Sequence, residues 1–537
     1  MAKRRLFLTL SLMVLMILLF ACRPVTDVED PVDPDEPIRV VVAQAADVES
    51  WDPPVGWGSA NQWITDNAYD WLFMRSGDGA EWVPLLAESW EVIDDVTVRF
   101  DLREGVKFHD GTELTAEDVK YHYRRIIDGT REEYIVQPQY TWIQEIIIHD
   151  PYTFDVVAES PDSAFMWRLA QTNTGASIVS KDYVEEVGTE GVHREPMGTG
   201  AWRLKEWVRD EHTHFVANED YWRGRPNFDE FIFKVIPEPS TRIAELLTGG
   251  VDLTYGVMAE DQARLEADPD TQAFWAKNAR GFLLWTRIGV HPNHVGEPEL
   301  DREFVTEDPR IRKAVELALD KEALRDFHGG IGQPFRARGP YQPLPEGNPD
   351  LYGERANLYD PGRARELIEE AGYGPGEAHL VFHTWEEWPQ GDLARVMQDM
   401  LEEVGFSIEL ILLDGTTMTS EVYGPRKTQE LFMAYLGGQM NPVFATRIFE
   451  SSEQLVNYGG QGAGSEELDQ LLHKAWTEME DEGLRNQFYH EATAIIAEER
   501  YVIGLFQGSE LWGASNRIDY TPRFDNEIYG FDINLVE

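Results

Sequence analysis

The sequence predicts a mixed α/β fold, and two observations support that prediction. Segments in which apolar and polar residues alternate, as in half-buried strands, are interleaved with segments in which apolar residues recur every three or four positions, as in amphipathic helices. Hydrophobic residues make up 42% of the 537 residues, which is enough for ordinary globular cores. A chain of this length exceeds what one core normally supports, so we expect two or more domains.

The first half of the chain contains most of the predicted strands. Residues 38 to 43 are a β-branched run, and residues 96 to 102 alternate between apolar and polar side chains. Residues 212 to 217 and 228 to 236 alternate in the same way. These four segments predict strands that each bury one face in a core.

Capping residues mark several predicted helices. Thr115, followed by acidic residues at 117 and 118, predicts a helix start, and Thr241 to Leu247 predicts a helix that stops at two glycines. Further helices are predicted over Pro309–Phe327, Pro361–Ala371, Leu393–Val404, Ser465–Trp476 and Gly483–Ala497. Two short apolar runs, 146 to 148 and 410 to 413, are expected to be buried pieces of strand.

The N-terminus has the layout of an export signal. A basic head at residues 3 to 5 precedes an apolar run over 6 to 20, which is too short to span a bilayer with margin. Cys22 is the only cysteine in the chain, and residues 19 to 22 resemble a bacterial lipobox, in which this cysteine is lipidated. We therefore expect residues 1–22 to be a lipoprotein signal peptide, with a plain signal peptide cut nearby as the alternative. The mature protein would then be extracytoplasmic, without disulfides, and anchored to a membrane by its N-terminal lipid.

The composition is strongly acidic. The chain carries 97 Asp and Glu against 47 Lys and Arg, a formal net charge of −50, and only 11 of the basic residues are Lys. Such a protein repels nucleic acid and anionic lipid, so we expect no nucleic-acid partner. Residues 23–37 are rich in Pro and Asp and are expected to form an acidic tether. Beyond them the acidic residues are spread along the chain, which favours adaptation to a saline habitat over a cationic ligand.

The sequence contains no recognised catalytic constellation. Nucleophile-elbow, zinc-protease and phosphate-loop motifs are absent, and the glycine-rich stretch 459 to 464 lacks the dinucleotide spacing. His212 and His214 would share one face of a strand, where solvent-facing side chains are commoner than metal ligands. Adjacent acids such as Glu386 and Glu387 carry little information in so acidic a chain. We expect no metal, no cofactor and a binding function rather than an enzyme, with an exported hydrolase as the alternative from another class.

Four groups of motifs occur in order along the chain. They are Pro84–Trp90 with Arg103–Gly111 and Thr115–Val119, Gly198–Trp202 with Asn218–Pro226, Asp308–Ala314 with Leu319–Lys321, and Tyr359–Pro361 with Ala371–Tyr373. The series resembles family 5 of the extracellular solute-binding proteins, which serve ABC importers and bind oligopeptides, dipeptides, nickel or oligosaccharides. The motifs also have structural uses, such as an Asp-Gly turn at 110–111 and aromatic packing at Tyr221 and Trp222.

The resemblance implies a two-lobed periplasmic-binding-protein-like fold that encloses a ligand between its lobes. The expected division is lobe one at 38–280 with a subdomain at about 70–190, lobe two at 281–503, and a return segment at 504–537 that completes lobe one. Hinge strands are expected near 281–288 and 502–506. Closure of the lobes would bury the ligand, and the closed form would dock on the permease subunits of the importer.

The inferred cleft is aromatic and rich in amides. Its expected ligand-binding residues are Trp57, Asn61, Gln62, Trp63, Trp385, Trp388, Tyr435, Gln439 and Asn441. The resemblance places Gly438 where peptide-binding members carry an aspartate that pairs with the α-ammonium group of the peptide, and the loop 383–390 lacks the arginine of dipeptide binders.

The missing ion-pair partners bear on the ligand. A charged peptide terminus buried without a partner would cost several kcal/mol, so stacking and neutral hydrogen bonds are the expected mode of recognition. An oligopeptide-like solute is the expected ligand, an oligosaccharide is the alternative, and nickel or another small solute is the third possibility.

Overall fold

A computed structural model gives the structure of most of the chain. It describes residues 37–55, 59–79, 81–130, 133–134, 136–170, 175–287, 295–297, 299–328, 332–334, 358–386, 390–414, 417–423, 427–437, 466–479 and 481–536. The residues from Arg39 onward form one compact unit.

The described residues form nineteen strands. They are β1 Arg39–Gln44, β2 Phe73–Arg75, β3 Trp82–Pro84, β4 Ala87–Asp94, β5 Thr97–Leu102, β6 Ile143–Asp150, β7 Thr153–Ala158, β8 Trp202–Val208, β9 His212–Ala217, β10 Glu230–Val235, β11 Leu253–Tyr255, β12 Thr271–Thr286, β13 Gly332–Pro334, β14 Ala378–Trp385, β15 Phe406–Leu413, β16 Leu431–Gly437, β17 Val502–Ser515, β18 Ile518–Asp519 and β19 Asn534–Leu535.

Twelve α-helices lie in the same described ranges. They are α1 Ser59–Thr65, α2 Ala116–Asp128, α3 Phe165–Leu169, α4 Lys181–Val192, α5 Pro239–Leu247, α6 Gln262–Ala267, α7 Pro309–Ala318, α8 Lys321–Phe327, α9 Pro361–Glu370, α10 Gln390–Glu403, α11 Glu466–Thr477 and α12 Glu482–Glu499. Single turns of 3₁₀ helix lie at Gln137–Gln139, Ala259–Asp261, Val305–Glu307 and Gly530–Asp532, and a π-helical turn lies at Met418–Tyr423.

One sheet runs through the whole compact unit. Its strand order is β15-β14-β16-β12-β17-β11-β1-β10-β9-β8, and β13 pairs with β17 off this path. β1 is parallel to β10 and β11, and β14 is parallel to β15 and β16. The mixed α/β class predicted from the sequence is therefore confirmed.

The two longest strands of this sheet, β12 and β17, divide it into two lobes. Their pairing is regular from Thr271 to Ala276 and resumes at Arg280 after a register shift, and a second shift follows between Phe282 and Leu283. On one side of the first shift Ala276 packs in a core with Trp512, and on the other side Phe282 packs in a different core with Phe506. We call residues 39–276 with 510–535 lobe one and residues 280–508 lobe two.

This pairing locates the chain crossing between the lobes. The crossing lies at 276–280 on β12 and at 508–510 on β17. The described parts of the segments expected to be hinge strands, 281–287 and 502–506, lie on the lobe-two side of this crossing, where Leu284 and Ile503 are buried in the core. The hinge position that the resemblance implied therefore differs from this crossing by a few residues.

A second, smaller sheet lies within the part of lobe one expected to be a subdomain. Its order is β4-β5-β7-β6, all antiparallel, and α2 packs its buried face against it. The predicted helix start at Thr115 is confirmed, because the backbone N–H of Thr115 donates to Asp118 Oδ2 at 2.9 Å. The predicted burial of residues 146–148 is only partly correct, since Ile147 is 38% exposed on the open face of β6.

Asp70 connects two of the motifs, Gly198–Trp202 and Asn218–Pro226, through hydrogen bonds. Thr199 Oγ1, Tyr221 Oη and Trp222 Nε1 all donate to its carboxylate at 2.9 to 3.0 Å. Burial raises the pKa of Asp70, while these three hydrogen bonds oppose that rise. The aromatic pair expected to supply packing bulk therefore also supplies hydrogen-bond donors to a buried acid.

One predicted helix is two helices. The segment Pro309–Phe327 divides into α7 and α8, because Leu319 is extended and the Asp320 side chain accepts from the backbone N–H groups of Glu322 and Ala323. An N-cap of this kind starts a new helix and ends the previous one. The apolar spacing of 311, 315 and 319 continues across the break, which is why the periodicity did not show it.

Candidate functional site

Both lobes present the carboxyl ends of parallel strands to the crossing. In lobe one, Gln44, Val235 and Tyr255 end β1, β10 and β11, and Tyr255 lies opposite Trp512, two residues from the crossing on β17. In lobe two, β14, β15 and β16 end at the edge where Gly437 pairs with Arg280. Ligands of open α/β sheets bind outside the carboxyl ends of the strands, so the candidate site is the space that these two edges face.

An aromatic cluster lies at the lobe-one edge. Trp63 meets Tyr255 edge-to-face with ring centroids 4.2 Å apart, and Trp512 lies 6.3 Å from Trp63. Trp63 and Trp512 are buried, whereas Tyr255 is only half-buried. The Arg242 guanidinium lies 5.7 Å over the Tyr255 ring and donates to the carbonyl oxygens of Ile236 and Pro237. The Tyr255 ring is therefore fixed by its contacts with Trp63 and Arg242, and part of its surface is exposed at this edge.

The loop that follows β1 is fixed by buried hydrogen bonds. Asn61 Oδ1 accepts from the backbone N–H groups of Glu49 at 2.9 Å and Ser50 at 3.3 Å. Asp52, which is fully buried, pairs with Arg125 of α2. These buried contacts keep the exposed atoms of the loop in one arrangement, as a binding site requires.

The lobe-two edge carries Trp385 at the end of β14. Its ring is half-buried and lies 5.5 Å from Phe432, so one part packs and another part is accessible. Thr384 Oγ1 donates to the carbonyl of Met433 at 2.9 Å, which ties β14 to β16 beside it. Burial lowers the pKa of His383 to about 4, so this imidazole is neutral at physiological pH.

The structure separates the predicted ligand-binding residues into three groups. Trp385 lies at the lobe-two edge, Gln62 is half-buried on α1, and Tyr435 lies on β16 opposite Phe282. Asn61 and Trp63 are committed to internal contacts instead, because the Asn61 carbonyl fixes the loop after β1 and the Trp63 ring is 2% exposed. Trp57, Trp388, Gln439, Asn441, Gly438 and Cys22 lie outside the described residues.

Two features of lobe one, of which the first is at the site, were not predicted from the sequence. Tyr255 is one; its signal in the sequence is a tyrosine followed by glycine at the end of a short strand. The other is a groove of about 640 Å³ at the carboxyl end of β10, lined by His212, His214, Lys234 and acidic side chains.

The two histidines of this groove have acidic partners. His214 Nε2 lies 3.3 Å from Glu230, and His212 Nε2 lies 3.6 Å from Glu206. Within the described ranges, no three His, Cys, Asp or Glu side chains are arranged to hold a metal ion. In the same ranges, no helix combines the length and apolar character that crossing a bilayer needs.

Comparison with known protein families identifies the chain. The model of bacterial extracellular solute-binding proteins, family 5, middle region, matches residues 81–449, which is more than half of the sequence. The chain belongs to this family of solute-binding proteins. The match spans most of lobe one and most of lobe two, and it includes β10 and β11 of the lobe-one edge and β14, β15 and β16 of the lobe-two edge. Other parts of the lobe-one edge, β1, Trp63 and Trp512, lie outside the matched residues.

Three relatives show how far the similarity to other family 5 proteins extends. Di/tripeptide-binding protein 2 of Pseudomonas aeruginosa strain UCBPP-PA14 is 26% identical over 462 residues, which cover 80% of this chain and 82% of the relative. Glutathione-binding protein GsiB of Salmonella paratyphi A is 25% identical and covers 86% and 87%. The oligopeptide-binding protein AppA of Bacillus subtilis, solved with a nonapeptide, superposes with a TM-score of 0.75 at 19% identity, covering 94% of this chain and all of the other.

These similarities decide the architecture. Family 5 solute-binding proteins have two lobes, and the AppA superposition over 94% of this chain confirms the two-lobed fold that the motifs implied. All three relatives are named for binding, none for catalysis.

Proposed function

We propose that this protein captures an oligopeptide-like solute between its lobes and delivers it to the permease of an ABC importer. The observation that carries the proposal is the family 5 match across both lobes. The names of the relatives support the ligand class, since they bind di- and tripeptides, glutathione or a nonapeptide. The positions of the strand ends support the place of binding.

Recognition is proposed to use aromatic stacking and neutral hydrogen bonds. Trp385 and Tyr255 offer partly open rings on opposite sides of the crossing, and Gln62 offers an amide near α1. Five further ligand-binding residues are proposed from the sequence alone: Trp57, Trp388, Tyr435, Gln439 and Asn441. This mode follows from glycine at position 438, where an ion-pairing aspartate is expected in peptide-binding members of the family.

A thermal-shift screen tests the ligand class. Di-, tri- and longer peptides, glutathione and neutral oligosaccharides would be added to the purified protein, because a ligand that binds only the folded state raises its melting temperature. We expect stabilisation by peptides, and N-acetylation of a peptide should change its effect little. Stabilisation by oligosaccharides alone would reject the peptide proposal. Binding that is abolished by acetylation would instead show an acidic anchor, for which exposed Glu386 after β14 is the first candidate.

Trp385→Ala tests the stacking surface directly. Loss of this ring should weaken binding of the best ligand by about 1–3 kcal/mol, the range for a buried aromatic contact. Trp90→Ala is the matched control, because Trp90 is a half-buried tryptophan on β4, in the smaller sheet and away from the crossing. Equal loss of affinity in both variants, measured by calorimetry, would contradict a specific role for Trp385.

Mass spectrometry of the bound ligand after long incubation should show it chemically unchanged, and turnover would contradict a pure binding function.

Export and lipid anchoring are proposed from the first 22 residues. Cys22→Ser should move the protein from the membrane fraction to the soluble extracytoplasmic fraction. A variant that stays membrane-bound to the same extent would reject lipidation at Cys22.

A further inference from the structure

The lobes touch at a second place, far in sequence from the crossing. Ala164 of lobe one is fully buried in a small apolar cluster whose other members, Ala475, Trp476 and Tyr489, belong to lobe two. Two hydrogen bonds accompany it: the backbone N–H of Ser163 donates to Trp476 O at 2.8 Å, and Ser163 Oγ donates to Ala475 O at 3.0 Å.

The two sides of this contact are anchored in separate cores. Behind Ala164, Phe165 and Leu169 of α3 pack in the core of the smaller sheet of lobe one. Behind Trp476, the residues Leu468 and Leu472 of α11 pack in a core of lobe two. Each side of the contact is therefore packed against the core of its own lobe, so separating the two sides leaves both cores intact.

The hydrogen bonds of Ser163 have a specific physical role. The last four carbonyl groups of an α-helix have no partner within the helix, and Ala475 and Trp476 lie in the last turn of α11. Ser163 of lobe one thus caps the carboxyl end of a lobe-two helix. Its turn is held in shape by Asp162, whose Oδ1 accepts from the backbone N–H of Ala164 at 2.9 Å and whose Oδ2 pairs with Arg168 at 2.8 Å.

Aromatic side chains complete the contact. The Arg168 guanidinium lies 5.0 Å over the ring of Trp476 and 5.6 Å over the ring of Trp142. Trp142 belongs to lobe one and Trp476 to lobe two, so this cation bridges the lobes through their rings. Trp476 is only 7% exposed and Tyr489 is 1% exposed, so water is excluded from the apolar part of the contact.

We propose that Ser163, Ala164, Trp476 and Tyr489 form a clasp that stabilises the arrangement in which the lobes meet at this contact, which we call closed. The clasp adds favourable free energy to closure without touching the ligand, so it raises affinity for any ligand held between the lobes. Its effect on affinity rests on the proposed function, whereas its effect on the distance between the lobes does not.

Distance measurements between spin labels on either side of the clasp test the proposal. Ser160→Cys and His473→Cys place labels at exposed positions in lobe one and on α11, in a Cys22→Ser background that leaves no other cysteine. Ala164→Glu puts a charged wedge into the apolar contact. Ala263→Glu is the control, because it adds the same charge at an exposed position on α6 of lobe one. Each variant is measured alone and with millimolar tri-alanine.

The expected results separate the clasp from the ligand. Without the Glu substitutions, and with Ala263→Glu, the labels should show a short-distance population that Ala164→Glu loses. Ser163→Ala, which removes one of the two hydrogen bonds, should lower the closed-to-open ratio about five-fold, the effect of one net hydrogen bond. Ser89→Ala, which removes an exposed serine–aspartate hydrogen bond within lobe one, should not change it.

Three outcomes would overturn the proposal. The first is an unchanged distance distribution in Ala164→Glu, with folding verified by circular dichroism. The second is an unchanged ratio in Ser163→Ala, which decides the question if Ala164→Glu does not fold. The third is the absence of any short-distance population in the parent protein under both conditions. Loss of the population in Ala164→Glu without any response to tri-alanine or other peptides would leave the clasp established and count against the peptide proposal alone.

Discussion

Asp66 is a buried carboxylate whose charge the fold disfavours. It lies just after the end of α1, is 7% exposed, and its Oδ1 accepts a long 3.5 Å hydrogen bond from Ser177 Oγ. Within the described part of the chain, its Oδ2 has no hydrogen-bond partner. Burial and the nearby carboxylate of Asp525 raise the pKa of Asp66 well above its ordinary value, and Thr65 and Ser177 oppose the rise. Asp525 itself is paired with Arg523 at 3.1 Å.

Asp66→Asn should therefore stabilise the protein at neutral pH. The folded-state pKa is raised, so protonated Asp66 favours folding below its unfolded pKa, and that stability is lost as pH rises through the folded pKa. Asparagine removes this dependence. The gain over wild type should be near zero below pH about 4 and should grow with pH by at most about 1.4 kcal/mol per unit until the folded pKa is passed.

Urea unfolding at several pH values measures this difference. Asp95→Asn is the control, because Asp95 is exposed in the turn between β4 and β5 and should leave the pH profile unchanged. A gain for Asp66→Asn that is the same at acidic and neutral pH would show that burial of the charge is not the cause.

The roles of some single residues could not be predicted from the sequence. Tryptophan is as suited to a core as to a stacking surface, so nothing in the sequence distinguished buried Trp63 from half-buried Trp385. The hydrogen bond from Tyr221 to Asp70 joins residues 151 positions apart, which no local pattern encodes. Local signals such as the Thr115 cap were readable because all their atoms lie within one turn.

At the scale of elements, the segment before β8 passes very close to the end of α1. The backbone N–H of Gly200 donates to Ala68 O at 3.1 Å, and that of Trp202 donates to Asn67 O at 3.1 Å. A Cβ on Gly200 would lie 2.5 Å from the carbonyl carbon of Ala68 and 2.7 Å from Asn67 O. These are backbone atoms, so they cannot move aside as a flexible side chain would.

Gly200→Ala should destabilise lobe one. We expect a loss of about 1–3 kcal/mol, the usual cost of overpacking a close contact. Gly77→Ala is the matched control, since its Cβ would meet nothing closer than Arg523 Nη1 at 4.0 Å. Equal melting temperatures for the two variants would contradict the close approach.

The elements differ in how far the sequence predicted them. α5 and α10 were found to within a few residues, because each has an apolar face and a glycine shortly after its end. The β12–β17 ribbon was not predicted as a unit, since its strands lie more than 200 residues apart and each passes from one core to another. The lobe crossing was therefore displaced, although the family motifs implied that one existed.

At the scale of the whole molecule, the formal charge of −50 predicts a dependence on salt. Repulsion among like charges disfavours the compact state, and dissolved ions screen it. Exposed ion pairs such as Arg363 with Glu370 lose strength in salt, but each contributes little. The net effect should be stabilisation.

Melting in NaCl from low to molar concentration measures this balance. The melting temperature should rise steadily with NaCl concentration. The same series in KCl should give the same curve, because screening does not depend on which monovalent cation is present. A flat or falling curve, or a response to one cation only, would indicate a specific partner in place of general screening.

The central place of β17 has a consequence for biosynthesis. Trp512, Ala514 and Ile528, from the last 40 residues, complete the core of lobe one, and Val502 to Phe506 complete lobe two. Neither lobe can finish folding until almost the entire chain has been made, which gives the topology a high contact order and slow folding. The cores of the large sheet would therefore stay incomplete through most of the synthesis of the chain. That delay would suit the proposed export, in which the chain crosses a membrane before it folds.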